Sequence, residues 1–223
     1  MVPMKKVVVV NGSPRADRGN TGRILKPFIE GMRDARAEVR LLYPKRMNIK
    51  PCAGTLSCWD RHPGTCGHRD GMQSAYPLLR QAEILVFATP VYIPLPGEMQ
   101  NFLNRLCPLI DPVLERRKGR TRARFRQDVR IERIALVSTG GWYEKGNFDT
   151  VLKVAKEFAE TTSVKFAGAL LRPHAQYLRQ GDPKAEEVFE AAREAGRELV
   201  IRGRMPKRLS DAVGRPLIHE EDY

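Results

Sequence analysis

Apolar positions along this chain switch repeatedly between two periods. Val7 to Val10 form an unbroken β-branched run, too short for a helix face, and read as a strand buried on both sides, as inside a parallel sheet. Over residues 21–36 the apolar residues Ile24, Leu25, Phe28, Ile29 and Met32 instead fall at helical spacing, with Pro27 in the first turns, where it costs least. The exchange recurs down the chain. Residues 38–43, 84–88, 134–138 and 164–171 read as further strands, and 72–82, 98–106, 148–161 and 183–201 as helices, the last strongly amphipathic. Five strands alternating with helices predict an α/β fold with a doubly wound, five-stranded parallel sheet and helices on both faces. One domain is expected over residues 1–203. It carries a cysteine-containing loop at 44–71 and a polar, arginine-rich insert at 111–130, read as solvated and mobile, and a polar tail follows at 204–223.

In such sheets ligands bind beyond the carboxyl ends of the strands, near the point where strand order reverses. Three strand ends here carry unusual loops. Asn11-Gly12 opens a loop with Ser13, Arg15, Gly19, Asn20, Thr21 and Gly22 before the first helix. A helix start offers unpaired N–H groups and positive dipole, so this inventory suits a single phosphate. Neither GxxxxGK(S/T) nor GxGxxG is present, which removes support for a triphosphate loop or a dinucleotide fingerprint. The second loop, Thr89-Pro90-Val91-Tyr92-Ile93-Pro94, has a backbone stiffened by proline and an aromatic face with a polar tip. The third, Ser138-Thr139-Gly140-Gly141-Trp142, lets a flat ligand approach main-chain donors. A planar, polar-edged ring on a phosphorylated stalk fits all three, and FMN is the obvious candidate.

Composition narrows the partners. The 223 residues include 39 Lys and Arg against 26 Asp and Glu, a net charge of +13 that favours anionic partners. Nine of the basic residues lie between Arg116 and Arg133. Only Phe125 interrupts residues 116–126, so the aromatic interleaving of single-strand binders is missing and nucleic acid is disfavoured. No apolar run approaches the roughly 20 residues that cross a bilayer, and the MVPMKKVVVV start lacks the length and cleavage site of a secretory leader. The reading is cytoplasmic, with no membrane partner.

The motifs Gly12-Ser-Pro-Arg15 with Gly19-Asn-Thr21, Thr89-Pro-Val-Tyr92 with Pro96-Gly97 and Asn101-Phe-Leu-Asn-Arg105, and Thr139-Gly-Gly141 resemble those of the flavodoxin-like NADPH-dependent FMN reductase family, in particular its iron–sulfur flavoprotein branch. The resemblance covers roughly residues 5–171. It implies that Ser13, Arg15, Asn20 and Thr21 hold the FMN phosphate, with Gly22 beside them. It places Pro90, Val91, Tyr92 and Ile93 along the isoalloxazine ring, and Thr139, Gly140, Gly141 and Trp142 at its pyrimidine side. It further implies a homodimer or homotetramer with flavins at subunit interfaces. The expected activity is hydride transfer from NAD(P)H, through FMN, to a quinone, free flavin, other small acceptor or protein partner, with no catalytic side chain required. A carrier reduced by another protein, and a nucleic-acid or regulatory module on the same scaffold, are the alternatives.

The cysteine loop departs from that branch. Cys52, Cys58 and Cys66 are present, but Thr55 stands where a second cysteine belongs. A four-iron cluster takes four thiolates, so a cluster is disfavoured unless Cys107 is brought close. A zinc site drawing on His62 and His68 lacks a second paired motif. Asp70 is expected to cap the following helix and Arg105 to cap its own.

Overall fold

A computed structural model describes residues 4–223; part of the run read against a secretory leader lies outside the described residues. Strand β1 (Lys6–Asn11) leads to helix α1 (Asn20–Asp34), β2 (Glu38–Leu42), α2 (Met72–Gln81), β3 (Ile84–Pro90) and α3 (Gly97–Asn104). A hairpin of β4 (Ile110–Arg117) and β5 (Arg120–Phe125) follows, then β6 (Arg133–Thr139), α4 (Asp149–Thr161), β7 (Lys165–Arg172), α5 (Pro183–Arg202) and α6 (Lys207–Val213). Five strands form one parallel sheet in the order β2-β1-β3-β6-β7. Order reverses between β1 and β3, which is where this topology opens a crevice.

The valine run explains the layering. Val7 and Val9 join the core beneath α1 and α5, whereas Val8 and Val10 join the core beneath α2, α3 and α4. Successive side chains on a strand point to opposite faces, so one short sequence feeds both cores. On the first face α1 and α5 meet backbone to backbone. A Cβ on Gly31 would lie 1.8 Å from the Arg193 carbonyl oxygen, and one on Gly196 would lie 1.9 Å from that of Phe28.

Two segments differ from expectation. The arginine-rich insert is an antiparallel hairpin with a bulge between Asp111 and Glu115. Three of its arginines tie it to α4: Arg117 donates to the carbonyls of Glu160 and Thr161 at the end of that helix, where a cation complements the dipole, and Arg120 and Arg122 pair with Glu157. Arg120, Arg122 and Arg124 share the outer face of β5 and Ala123 and Phe125 are buried on the other, an alternation too short and too arginine-rich to read as a strand from sequence. The segment after residue 203 is likewise docked. Gly203 ends α5 in the left-handed conformation, α6 follows, and Leu209, Val213 and Leu217 are buried in the core beneath α1 and α5. Met205, Leu209, Val213 and Leu217 recur every four residues, but Pro206, Gly214 and Pro216 among them broke the pattern as a helix signal.

Candidate functional site

The carboxyl ends of β1, β3 and β6 enclose a crevice of about 300 Å³. Ser13, Pro14, Arg15, Asn20 and Thr21 line one end, Pro90, Val91 and Tyr92 the middle, and Thr139, Gly140, Gly141, Ala175 and Gln176 the far wall. A groove between α1 and α5, lined in part by Arg23, Arg179 and Phe189, is larger at about 570 Å³ but touches none of the three strand-end loops. Position relative to the strand ends, not volume, singles out the smaller one.

The first end is built locally. Asn11 Oδ1 accepts the Ser13 N–H at 3.0 Å, and the Ser13 hydroxyl accepts the Arg15 N–H at 3.3 Å. These bonds curl the loop back toward the start of α1. Gly19 permits the close turn, since a Cβ there would lie 2.7 Å from Ser13 Oγ. Helix α1 begins with no side-chain cap and no acidic residue in its first turn. Its opening N–H groups and Arg15 thus face the crevice without an internal anion, the donor set a phosphate takes. The Thr21 and Thr139 hydroxyls meet at 2.7 Å, both buried, and tie this end to the far wall.

The middle is a short turn. Val91 N–H donates to the Thr139 carbonyl at 2.8 Å, continuing the ladder between β3 and β6, and Tyr92 N–H donates to Pro94 O at 2.9 Å. The turn leaves Tyr92 half exposed at the crevice edge and drives Ile93 fully into solvent.

The far wall breaks the rhythm of its strand. Gly140 sends both its N–H, to Arg172 O at 3.0 Å, and its carbonyl, to Ala175 N at 2.9 Å, toward the β7 side. A regular strand would turn both groups of the next residue toward β3. Instead the Gly141 carbonyl also turns toward the β7 side, accepting from Gln176 Nε2 at 3.2 Å and Tyr223 Oη at 2.5 Å. The Trp142 carbonyl does the same, accepting from His174 N at 2.8 Å. In a trans peptide the carbonyl and the following N–H point in opposite directions. The N–H groups of Gly141 and Trp142 therefore both point toward β3, across the crevice.

Behind this wall lies a buried, unusual pair. Arg172 is fully buried and donates to the carbonyls of Pro173, Val213 and Arg215 and to His174 Nε2 at 2.7–2.9 Å. Burial pulls its pKa down to about 10, so it stays charged at neutral pH. His174, in the left-handed conformation, accepts a second bond at Nε2 from Leu217 N–H at 3.1 Å. Burial first, then the Arg172 charge, lower its pKa to about 4 and keep it neutral. Its ring stacks on Tyr143 with centroids 4.9 Å apart.

Of the residues proposed from sequence, ten line the crevice and three do not. Gly22 sits behind the loop, where a Cβ would come within 2.5 Å of the Asp17 carbonyl, so it serves close packing. Ile93 and Trp142 are exposed outside the lining. Pro14, Ala175 and Gln176 are additions. The last two follow β7, whose end carried no glycine or ligand-like signal but is the neighbour of β6 in the sheet.

None of the cysteines lines this crevice. Cys107, just after α3, comes close to Cys58, and burial pushes the Cys107 thiol up to about 12. Trp59 Nε1 also donates to Cys107 O at 3.1 Å. The fold thus supplies the approach of Cys107, yet no three His, Cys, Asp or Glu side chains are grouped as a metal ion requires among the described residues. Cys52 and Cys66 also lie near enough to raise the Cys107 pKa, and Cys52 is exposed. The residue that caps α2 is Gly71, not Asp70; Asp70, one position earlier, accepts from Met72 N–H and also forms a buried two-bond ion pair with Arg105 at 2.7 and 3.2 Å. Burial alone would raise the Asp70 pKa; the Arg105 guanidinium and the Lys50 and Met72 amides overcome it and hold the carboxyl at about 2. Arg105 is thus a buried brace between α2 and α3.

Solved structures share the fold. An FMN-dependent NADH-azoreductase from Bacillus anthracis, in complex with FMN, superposes with a TM-score of 0.62 at 12% identity, covering 88% of this chain and 100% of that one. An NAD(P)H:quinone oxidoreductase from Methanothermobacter marburgensis gives 0.61 at 15% identity, covering 88% and 98%. These two bear the flavodoxin-like architecture out. An iron–sulfur flavoprotein from Archaeoglobus fulgidus is 28% identical over 104 residues, and the match spans 46% of each chain, about half the length of that relative. No described helix is long and apolar enough to cross a membrane. The family profile described as NADPH-dependent FMN reductase matches residues 5–152, more than half of the sequence, and on that match the chain belongs to the NADPH-dependent FMN reductase family.

Proposed function

We infer that the crevice at the ends of β1, β3 and β6 holds FMN and that the chain is an NAD(P)H-dependent oxidoreductase acting on a small acceptor such as a quinone or free flavin. Bound FMN supplies the hydride-accepting and electron-passing chemistry. The single observation that carries the reading is the convergence, at the reversal of strand order, of an uncapped α1 start and two adjacent N–H groups on the far wall. Ser13, Arg15, Asn20 and the first N–H groups of α1 would hold the phosphate. Pro90, Val91 and Tyr92 would flank the ring, shielding one face from water. Gly141 and Trp142 N–H would meet its polar edge, and donors there stabilise the negative charge that reduction brings. None of these roles needs a side-chain acid or base.

Tyr92 is half exposed, Trp142 more so and Ile93 fully, all beside the crevice, which supports closure of the site by a second copy of the chain. Arg117, Arg120, Arg122 and Arg124 of the hairpin pair with Glu115, Glu157 and Glu160, which leaves fewer free for a nucleic-acid phosphate.

The test is a titration of purified protein with FMN, followed by anaerobic addition of NADPH. Quenched flavin fluorescence and rapid bleaching of the visible flavin band are expected. Failure to bind FMN sinks the reading. Binding without bleaching by NADPH or NADH would leave the crevice assigned but make the protein a carrier reduced by a partner.

A further inference from the structure

Nothing in the flavin reading explains why the far wall's donors face the crevice. Gly141 has no side chain to fix it, and a Cβ there would meet nothing within 4 Å. A glycine peptide on the surface is free to rotate, exchanging its N–H and carbonyl directions. Here the direction is set by groups remote in sequence, Gln176 in the lining beside Gly141 and Tyr223 outside it. Tyr223 Oη and Gln176 Nε2 both donate to the Gly141 carbonyl, and His174 N–H takes the Trp142 carbonyl.

Those groups are themselves anchored. The Tyr223 ring lies 5.7 Å from the Tyr143 ring, 6.3 Å from Tyr177 and 6.5 Å from His174, centroid to centroid, closing an aromatic cluster under the loop. Residues 213–217 are bolted to the end of β7, since Arg172 donates to the Val213 and Arg215 carbonyls and Leu217 N–H donates to His174. Leu217 is buried and its carbonyl accepts from Lys184 Nζ on α5 at 3.4 Å. A continuous chain of contacts thus runs from the core of β7 through residues 213–223 to one carbonyl oxygen in the crevice wall.

We propose that Tyr223, with Gln176, is a positioning residue for the flavin site: by holding the Gly141 carbonyl on the β7 side it fixes the Gly141–Trp142 peptide with its N–H toward the crevice, and so sets both the affinity for the flavin ring and its readiness to hold negative charge. The proposal rests on the FMN reading above. It assigns residues 204–223 a part in the site, through contacts made behind the wall and outside the crevice lining.

The placement makes a distinction that a general loss of stability does not. The hold acts on the ring end of the crevice, so its loss weakens FMN and riboflavin alike. Loss of Arg15 acts on the phosphate end and weakens FMN alone. Removing donors near the ring edge also lowers the flavin's midpoint potential, because the reduced, negatively charged form loses more than the oxidised form.

The experiment compares wild type, Tyr223→Phe, Gln176→Leu, the double variant and Arg15→Ala. Dissociation constants for FMN and for riboflavin are read from flavin fluorescence, and the potential of bound FMN from equilibration with reference dyes. Tyr223→Phe keeps the aromatic cluster and deletes one hydroxyl. It is expected to weaken both flavins by about two- to tenfold, the size of one net hydrogen bond, and to shift the FMN potential downward. The double variant should exceed either single change, and Arg15→Ala should spare riboflavin. Unchanged flavin affinity and potential in the double variant would overturn the proposal. If wild type binds neither flavin, it is the FMN reading that falls. Equal thermal midpoints across the set tie any loss to the site itself.

Discussion

The two ends of the crevice are made in opposite ways. The phosphate end is local: Asn11, Ser13, Arg15, Gly19 and the start of α1 form one short stretch, and each fixes the next through bonds between near neighbours. The glycine wall is remote. Thr139, Gly140 and Gly141 supply the surface, but Arg172, His174, Gln176, Val213, Leu217 and Tyr223 decide its shape. A local site survives changes elsewhere in the molecule, whereas a remote one inherits every weakness of the segments behind it. Perturbations deep in the β7 end should therefore reach the ring edge and spare the phosphate.

The largest effect is expected at Arg172. Substituting Arg172→Met keeps volume but strands the carbonyls of Pro173, Val213 and Arg215 and leaves His174 Nε2 with the Leu217 N–H alone. Bonds to a charged group contribute roughly 1.5–3 kcal/mol each and partly overlap, so a loss of about 3 kcal/mol or more is expected in urea unfolding. Limited proteolysis should show residues 204–223 cut first. If those residues stay protected, the anchoring described for Arg172 is wrong.

A somewhat smaller effect is expected from pH. The folded state keeps His174 neutral, with a pKa near 4 against 6.5 for the free side chain. Between those values the unfolded chain binds more protons, so stability present above pH 6.5 is lost as pH falls through about 4. The full difference is up to about 3 kcal/mol. The groups facing the ring are Arg172, Tyr143, Tyr177 and Tyr223, and none of them is a carboxylate that would offset the loss. Unfolding midpoints at pH 7 and pH 5 measure it. His174→Asn, a residue that tolerates the left-handed backbone, should flatten the difference. An equally steep pH profile in that variant would assign the dependence to another group.

How much of this was legible in sequence follows the same divide. The valine run, the helix spacings and the loops after β1 and β3 are local patterns, and they gave the five strands, their parallel arrangement and most of the crevice lining. Gly140 and Gly141 were legible as a backbone approach. Their support was not, because no periodicity links residue 141 to residue 223, and β7 ends in Pro173-His174 with no ligand signature. The hairpin was missed for a related reason. Its arginines read as solvated charge, but their partners Glu157 and Glu160 lie in α4, more than 30 residues on. Gly22 and Trp142 show the limits of local reading. Both were placed in the site by adjacency to a motif; Gly22 packs beneath the loop, and the Trp142 side chain faces solvent, leaving only its N–H for the wall.

Thr21 belongs to both ends at once and gives the smallest but sharpest test. Its hydroxyl stands at the start of α1, yet it shares a bond with the Thr139 hydroxyl and is 1% exposed. Thr21→Val keeps the shape and removes one buried bond, a change of about 1 kcal/mol, or fivefold in affinity. If the hydroxyl serves the phosphate, FMN binding weakens and riboflavin binding does not. If it serves the wall by orienting Thr139, both weaken together, and Thr139→Val reproduces the loss. Unchanged binding of both flavins would leave Thr21 a bridge between two strand ends with no part in recognition. The geometry favours the shared loss, because the only partner the hydroxyl has among the described residues lies on the wall.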